Sequence, residues 1–292
     1  MPQKLLKYIK KKKYLAAERP FLKKNMNLKN ISLVLLILIN FSSLAEASLR
    51  IVSISPSVTE IIYALKSEKN LVGVTTSCDY PFAAKSLPKI GDFANPNLEK
   101  IVALKPDLVA GIGNPVSQKN FILQKLGIKT KIWASPKTFA DIYQIISDLG
   151  SILNKKSEAQ KLISEMTKTV NRYKSPKKNS NNKVIIIIWY QPLIAAGDQS
   201  FVSKIVEAAG FENILKTKEE FPIIGKEFIF QANPDFIILT EPKLINLLLQ
   251  DKLFANLKAI RHNQVIYKIN PDWLLRPGPR FVKAIKQLRT SL

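Results

Sequence analysis

Between residues 50 and 135, short apolar runs alternate with amphipathic stretches. RIVSIS (50–55), LVGVT (71–75), DLVAGI (107–112) and TKIWA (130–134) are strand candidates. Between them TEIIYALK (59–66), NLEKIVAL (97–104) and SQKNFILQKLG (117–127) carry the 3–4 spacing of helices, the last ending on Gly127. This is the β–α alternation of a parallel, helix-covered sheet. From about Thr138 to Tyr173 the rhythm breaks. Apolar residues fall at Phe139, Ile142, Ile145, Ile146, Leu149, Ile152 and Leu153, then at Ala159, Leu162, Ile163, Met166 and Val170. The pattern predicts one long helix of roughly 50 Å, more than a small lobe needs, with Gly150 its weak point. A polar loop, SPKKNSNNK (175–183), follows. The alternation then resumes: VIIIIWY (184–190), FVSKIVEAAG (201–210), FIILT (236–240), a helix over 242–249, VIYKI (265–269) and a final helix from about Pro279. The expected fold class is α/β, two doubly wound lobes joined by one long rigid helix: residues 48–137, a linking helix over 138–174, and 175–292.

One unit recurs. NLEKIVALKPDLV (97–109) and KEFIFQANPDFII (226–238) each read as a Glu, six residues, Pro-Asp and an apolar run. Glu99 and Glu227 therefore occupy matching places, once per lobe, in a helix–turn–strand unit.

The first 47 residues stand outside this pattern. MNLKNISLVLLILINFSSLAEAS, from Met26, has a positive start, a nine-residue apolar run at 31–39 and an Ala45-Glu46-Ala47 end. These are the parts of a secretory signal peptide, and the run is too short to span a bilayer, which takes about 20 residues. Cleavage is expected near Ala47, with translation starting at Met26 rather than at the basic forerunner 1–25. The lone Cys78 lies far past that point, so no lipid-bearing cysteine is expected on the mature chain.

Net charge is +23, of which +8 belongs to residues 1–47. The other +15 is scattered over helix faces and loops, as on a solvated surface; no zinc spacing, basic helix or aromatic RNA-binding signature accompanies it. One cysteine excludes an internal disulfide, and a single His262 excludes a His-cluster metal site. There is no nucleophile elbow, phosphate-binding loop or H-E-x-x-H motif, so catalysis finds no support. What remains is a ligand cleft beyond the carboxyl ends of the strands. Candidate lining residues are Asp79, Tyr80, Phe93, Trp189, Tyr190, Phe221, Asp272 and Trp273, aromatic and polar groups suited to a large flat or apolar ligand. Trp189 and Tyr190 are equally suited to capping the core. Arg276 is a candidate partner for ligand carboxylates or phosphate, while Arg280 fits packing or capping of the final helix.

RIVSISPSVTEIIYAL, VGVTTSCDYP, NPNLEKIVALKPDLV and DWLLRPGPR together resemble the class III substrate-binding proteins of ABC importers, which bind cobalamin, ferric siderophores or haem. The resemblance covers about 49–290, and S-P-S-x-T-E, C-D-Y-P and D-W-x-x-R-P-G-P-R are most similar to the cobalamin-binding branch. It implies two α/β lobes on a rigid helix. It also implies a periplasmic protein that captures a corrinoid between the lobes, and docking on a permease dimer through Glu99 and Glu227. Two solvated helix-start acids are the plainer account of that pair. In the cobalamin-binding branch Phe93 and Phe221 stand where tryptophans do, Ser77 and Ile112 where aromatics do, and Asp272 and Arg276 match polar contacts. A ferric siderophore or haem is the alternative cargo. A two-lobed metallocluster or chelatase-type enzyme is disfavoured by the signal peptide and the missing Cys/His ligands. No resident cofactor, metal or nucleic-acid partner is expected, and the membrane is reached only through the permease.

Overall fold

A computed structural model of the protein describes residues 48–114, 116–173 and 182–292. The expected signal peptide, its cleavage near Ala47 and most of the 175–183 loop lie outside the described residues.

The first lobe is a four-stranded parallel sheet in the order β2-β1-β3-β4, built from Ile51–Ser53 (β1), Leu71–Val74 (β2), Leu108–Ile112 (β3) and Lys129–Trp133 (β4). Its connecting helices are Pro56–Ala64 (α1), Leu98–Ala103 (α2) and Gln118–Lys125 (α3). Caps explain two of the starts. The Asn97 side chain accepts from Lys100 N–H, and Ser117 accepts from Asn120 N–H. In the second lobe Lys183–Trp189 (β5), Phe236–Leu239 (β8) and Val265–Ile266 (β9) run parallel. Glu212–Asn213 (β7) adds to β5 in parallel, and Ile194–Ala195 (β6) adds antiparallel. Helices Phe201–Ala208 (α6), Lys226–Ala232 (α7), Leu244–Gln250 (α8), Lys258–Arg261 (α9), Pro271–Leu275 (α10) and Phe281–Arg289 (α11) complete it. Helix α10, which no pattern in the sequence announced, is one short turn opened by Pro271 and by the Asn270 side chain, which accepts from Asp272 N–H.

Both sheets are covered on both faces, so their central strands are apolar without alternation. Within β5, Val184 and Ile186 face a core shared by the two lobes, while Ile185 and Ile187 face a core private to the second lobe. The same split puts Ile51 and Leu108 in the shared core and Val52 and Val109 in the first lobe's own.

The single linking helix expected over 138–174 is corrected. It is two helices, Phe139–Ile152 (α4) and Lys156–Tyr173 (α5), parted at Asn154, whose φ is +55°. Asparagine tolerates that left-handed geometry, and Lys155 N–H closes the turn on the Gly150 carbonyl. The two helices pack together so closely that a Cβ on Gly150 would lie 2.5 Å from that of Ala159. Because α4 and α5 both turn their apolar stripe to the same core, the 3–4 spacing runs on through the break. A capping box of Thr138 and Asp141 starts α4. Helix α4 packs on α1 of the first lobe and α5 on α11 of the second, so the pair joins the lobes. The joint is tightened by three rings: Phe139 stacks on Phe281 at 4.6 Å, and Phe201 meets both edge-on.

The recurring unit is the same structure twice. Each helix ends on a residue of positive φ, Lys105 at +46° and Asn233 at +40°, just before the proline. Each following aspartate accepts from the N–H that opens the lobe's first strand: Asp107 from Arg50 at 2.8 Å, Asp235 from Lys183 at 3.0 Å.

Candidate functional site

The carboxyl ends of the first lobe's strands open onto a cleft of about 440 Å³. The turn from β1 to α1 brings Ser55, Pro56 and Ser57; Ser77 follows β2, Ile112 ends β3, and Ser135 and Pro136 follow β4. Opposite stand Phe201 and Val202 from the start of α6, the loop residues Glu220 and Phe221, and Leu274–Pro277 around the end of α10. Phe93 and Phe221 face it half-exposed, at 47% and 45% of their surface. Its size lies within the range of small-molecule sites, as does its mainly apolar wall with a few polar groups. Phe201 belongs at once to the wall and to the three-ring joint, so one side of the cleft rests on the packing of α4 against α6 and α11.

Two arginines fix the polar side. Arg276, on the cleft wall, donates from Nη1 to Asp79 Oδ1 at 2.6 Å and forms an ion pair with Asp272, Nε to Oδ1 2.9 Å; Glu60 Oε1 lies 3.9 Å from Nη1. Arg280 is buried and grips Glu60 with both ends of its fork, Nε to Oε2 at 2.8 Å and Nη2 to Oε1 at 2.6 Å, with Asp272 at 3.3 Å. The network links α1 and the 79–80 loop to α10 and the entry of α11. The Arg276 hydrogen bond holds the Asp79 carboxyl below the ordinary carboxylate range. Burial pushes Glu60 up, against the pull of Arg280 and then Arg276. For Arg280, burial opposes the charge, but the bond and charge of Glu60 outweigh it and its pKa rises.

Among the predicted residues, the cleft brings together Phe93, Phe221 and Arg276, with Ser77 and Ile112 beside them. Asp79 and Asp272 stand behind Arg276 rather than on the wall. Tyr80 is corrected to a separate hollow with Glu60, Tyr63, Pro279 and Lys283, its ring 4.0 Å from the Arg280 guanidinium carbon. Tyr190 is corrected to the core. It is 4% exposed in the second lobe's private cluster, and its hydroxyl donates to Asp251 at 2.8 Å; burial, and after it that bond, raises its pKa. Trp189 is half-exposed off the cleft, donating to the Gln191 carbonyl, with Lys243 5.0 Å over its ring. Trp273 packs partly buried against the shared core. Sequence reasoning passed over Glu60 and gave Arg280 packing or capping of the final helix. The signal for Glu60 was a lone acid between Val58 and Ile61 on the buried face of α1.

Glu99 and Glu227 are both exposed, each the second residue of its short helix, α2 and α7. Neither carries an ion pair to another described residue.

Residues 51–269 match the family described as periplasmic binding protein. A vitamin B12-binding protein of Salmonella typhi is 30% identical over 84% of this chain and 91% of its own. An uncharacterized ABC transporter substrate-binding lipoprotein of Bacillus subtilis is 28% identical over 83% and 79%. Among solved structures, the periplasmic vitamin B12-binding protein of Vibrio cholerae superposes with a TM-score of 0.72 at 28% identity, over 83% of this chain and 95% of that one. A periplasmic heme-binding protein of Roseiflexus gives 0.75 at 26%, over 84% and 98%.

Proposed function

Since the chain belongs to the periplasmic binding protein family, as a substrate-binding protein of an ABC transporter and not an enzyme, we propose that its cargo is a corrinoid of the cobalamin type. The ligand sits between Phe93 and Phe221 in the cleft and is handed to the permease in the periplasm. One observation carries the choice. Among the described residues lining the cleft there is no His, Tyr, Cys or Met, the side chains that ligate haem iron. A corrinoid brings its own axial ligands on cobalt and asks the protein only for apolar faces and a few hydrogen bonds. The relatives named for vitamin B12 support the same reading.

Delivery runs through Glu99 and Glu227. The two acids stand at equivalent places of equivalent units, one per lobe, and so suit a permease with twofold symmetry. The joint at Phe139, Phe201 and Phe281 favours a cleft that changes little on binding.

Calorimetric titration of the purified protein with cyanocobalamin, dicyanocobinamide, haem and a ferric siderophore tests the cargo. Sub-micromolar corrinoid binding is the expected result. Saturation by haem or siderophore with no corrinoid response would overturn it and leave the transporter role in place.

A further inference from the structure

Arg276 is the only cation among the described residues lining the cleft, and its charge is already matched inside the protein. Of the five N–H donors of a guanidinium, one of Nη1 and one of Nη2 go to the two Asp79 oxygens, at 2.6 and 3.5 Å, while Nε lies 2.9 Å from Asp272 Oδ1 in an ion pair. Around the two arginines stand three carboxylates, those of Glu60, Asp79 and Asp272. The cluster therefore presents no surplus positive charge to the cleft. The one anion on the wall, Glu220, is balanced by Lys137 at 3.5 Å. We infer that Asp79 and Asp272 are positioning residues that hold and neutralise Arg276, so that the cleft selects flat ligands with a neutral, amide-bearing rim over those whose rim carries carboxylates.

The free edge of Arg276 offers N–H to a neutral acceptor such as an amide carbonyl. Asp79 stands behind that edge, its side chain 45% exposed and its Oδ2 carrying the longer contact to Arg276, 3.5 Å. A ligand carboxylate at the same edge meets Asp79 across one guanidinium, and like charges placed so are repelled. This arrangement differs from an arginine left free to pair with an acid, which would favour the carboxylate. The selectivity rests on the reading of the cargo as a flat macrocycle held in this cleft, and it deepens that reading by specifying the rim.

The test uses two matched pairs at physiological ionic strength, where the chain's general positive charge is screened beyond about 8 Å. One pair is dicyanocobinamide and the polycarboxylic acid form of the same corrinoid; the other is haem and its diamide. The protein is expected to bind the amide member of the corrinoid pair about tenfold or more tightly. In D79N and in D79N/D272N the ratio should fall toward one or reverse. Adding R276Q to the double variant should abolish any gained affinity for the acid. Equal or better binding of the acid by the unaltered protein overturns the inference, and so does a ratio unmoved in D79N, which keeps Asp272 and Arg280 in place. Corrinoid silence with the haem diamide preferred over haem would sink the corrinoid cargo and uphold the selectivity. Failure of all four to bind would sink both.

Discussion

Replacing Arg280 with methionine should destabilise the protein at neutral pH far more than at acid pH. The substitution leaves Glu60, whose side chain is 3% exposed, without the fork that grips both its oxygens at 2.8 and 2.6 Å. Breaking a buried pair by removing one partner costs about 3–5 kcal/mol, because the other charge stays behind. Arg276 lies 3.9 Å from Glu60 Oε1 and compensates in part, so the lower end, about 3 kcal/mol, applies. For a chain of this size that lowers Tm by about 6–12 °C. The sign with pH follows from Glu60. Its folded pKa already stands above 4.5 through burial, and losing Arg280 raises it further. A raised carboxyl contributes its stability below the unfolded value and loses it as pH rises through the folded one. The deficit of R280M should therefore shrink as pH falls from 8 toward 4.5, leaving about 1 kcal/mol for lost hydrogen bonds. Glu60→Gln combined with R280M removes both charges and should return to within about 1 kcal/mol of the parent protein. Thermal unfolding followed by circular dichroism between pH 5 and 8 measures all three. A deficit that is the same at every pH, or a double variant worse than R280M, would refute the account.

Phe93→Ala and Phe221→Ala should each weaken corrinoid binding by about 1 kcal/mol, roughly fivefold, in calorimetric titration; tighter or unchanged binding would remove the rings from the ligand's faces. Glu99→Lys or Glu227→Lys should abolish corrinoid-dependent growth while ligand affinity stays as it was; uptake that survives both reversals would end the docking proposal. Below pH 4 the protein should lose stability. The Asp79 carboxyl is lowered by its bond to Arg276 and that of Asp251 by its bond to Lys226, and such groups give up their contribution as pH falls through the folded value. An acid limb that is flat to pH 3 in urea unfolding would contradict it.

The lobes were legible because a strand covered on both faces is apolar throughout, and VIIIIWY could hardly be anything else. The linking segment misled for a physical reason: two helices that face one core continue each other's periodicity, and only Asn154 and the close contact at Gly150 mark the break. The ion network was beyond reach of local pattern, since Glu60 and Arg280 are 220 residues apart. Trp189 could have been placed. It shares strand parity with Ile185 and Ile187, which face the private core, whereas Val184 and Ile186 face the shared one. Phe93 and Phe221 sit in loops with no period to read; their aromatic character past the strand ends made them candidates, and the resemblance matched them to ligand-facing positions.

The repeated unit separates what the fold needs from what it does not. The Pro-Asp half has a structural cause in both lobes, because Asp107 and Asp235 each fasten the first N–H of the neighbouring strand. Asp107→Ala should accordingly cost about 1 kcal/mol in urea unfolding, the worth of one such bond, and Asp235→Ala more than that, because Asp235 also pairs with Lys258. The glutamates have no comparable duty. Each is exposed at a helix start and unpaired with any other described residue, and a carboxylate there gains at most a few tenths to about 1 kcal/mol from the helix dipole. Glu99→Gln and Glu227→Gln should then leave stability within about 0.5 kcal/mol. If they do, the fold gives no reason for an acid at the same place in both lobes, and the reason must lie in what the two lobes touch together. If either costs as much as the aspartates, the recurrence is part of the unit's own architecture and the docking proposal loses its support.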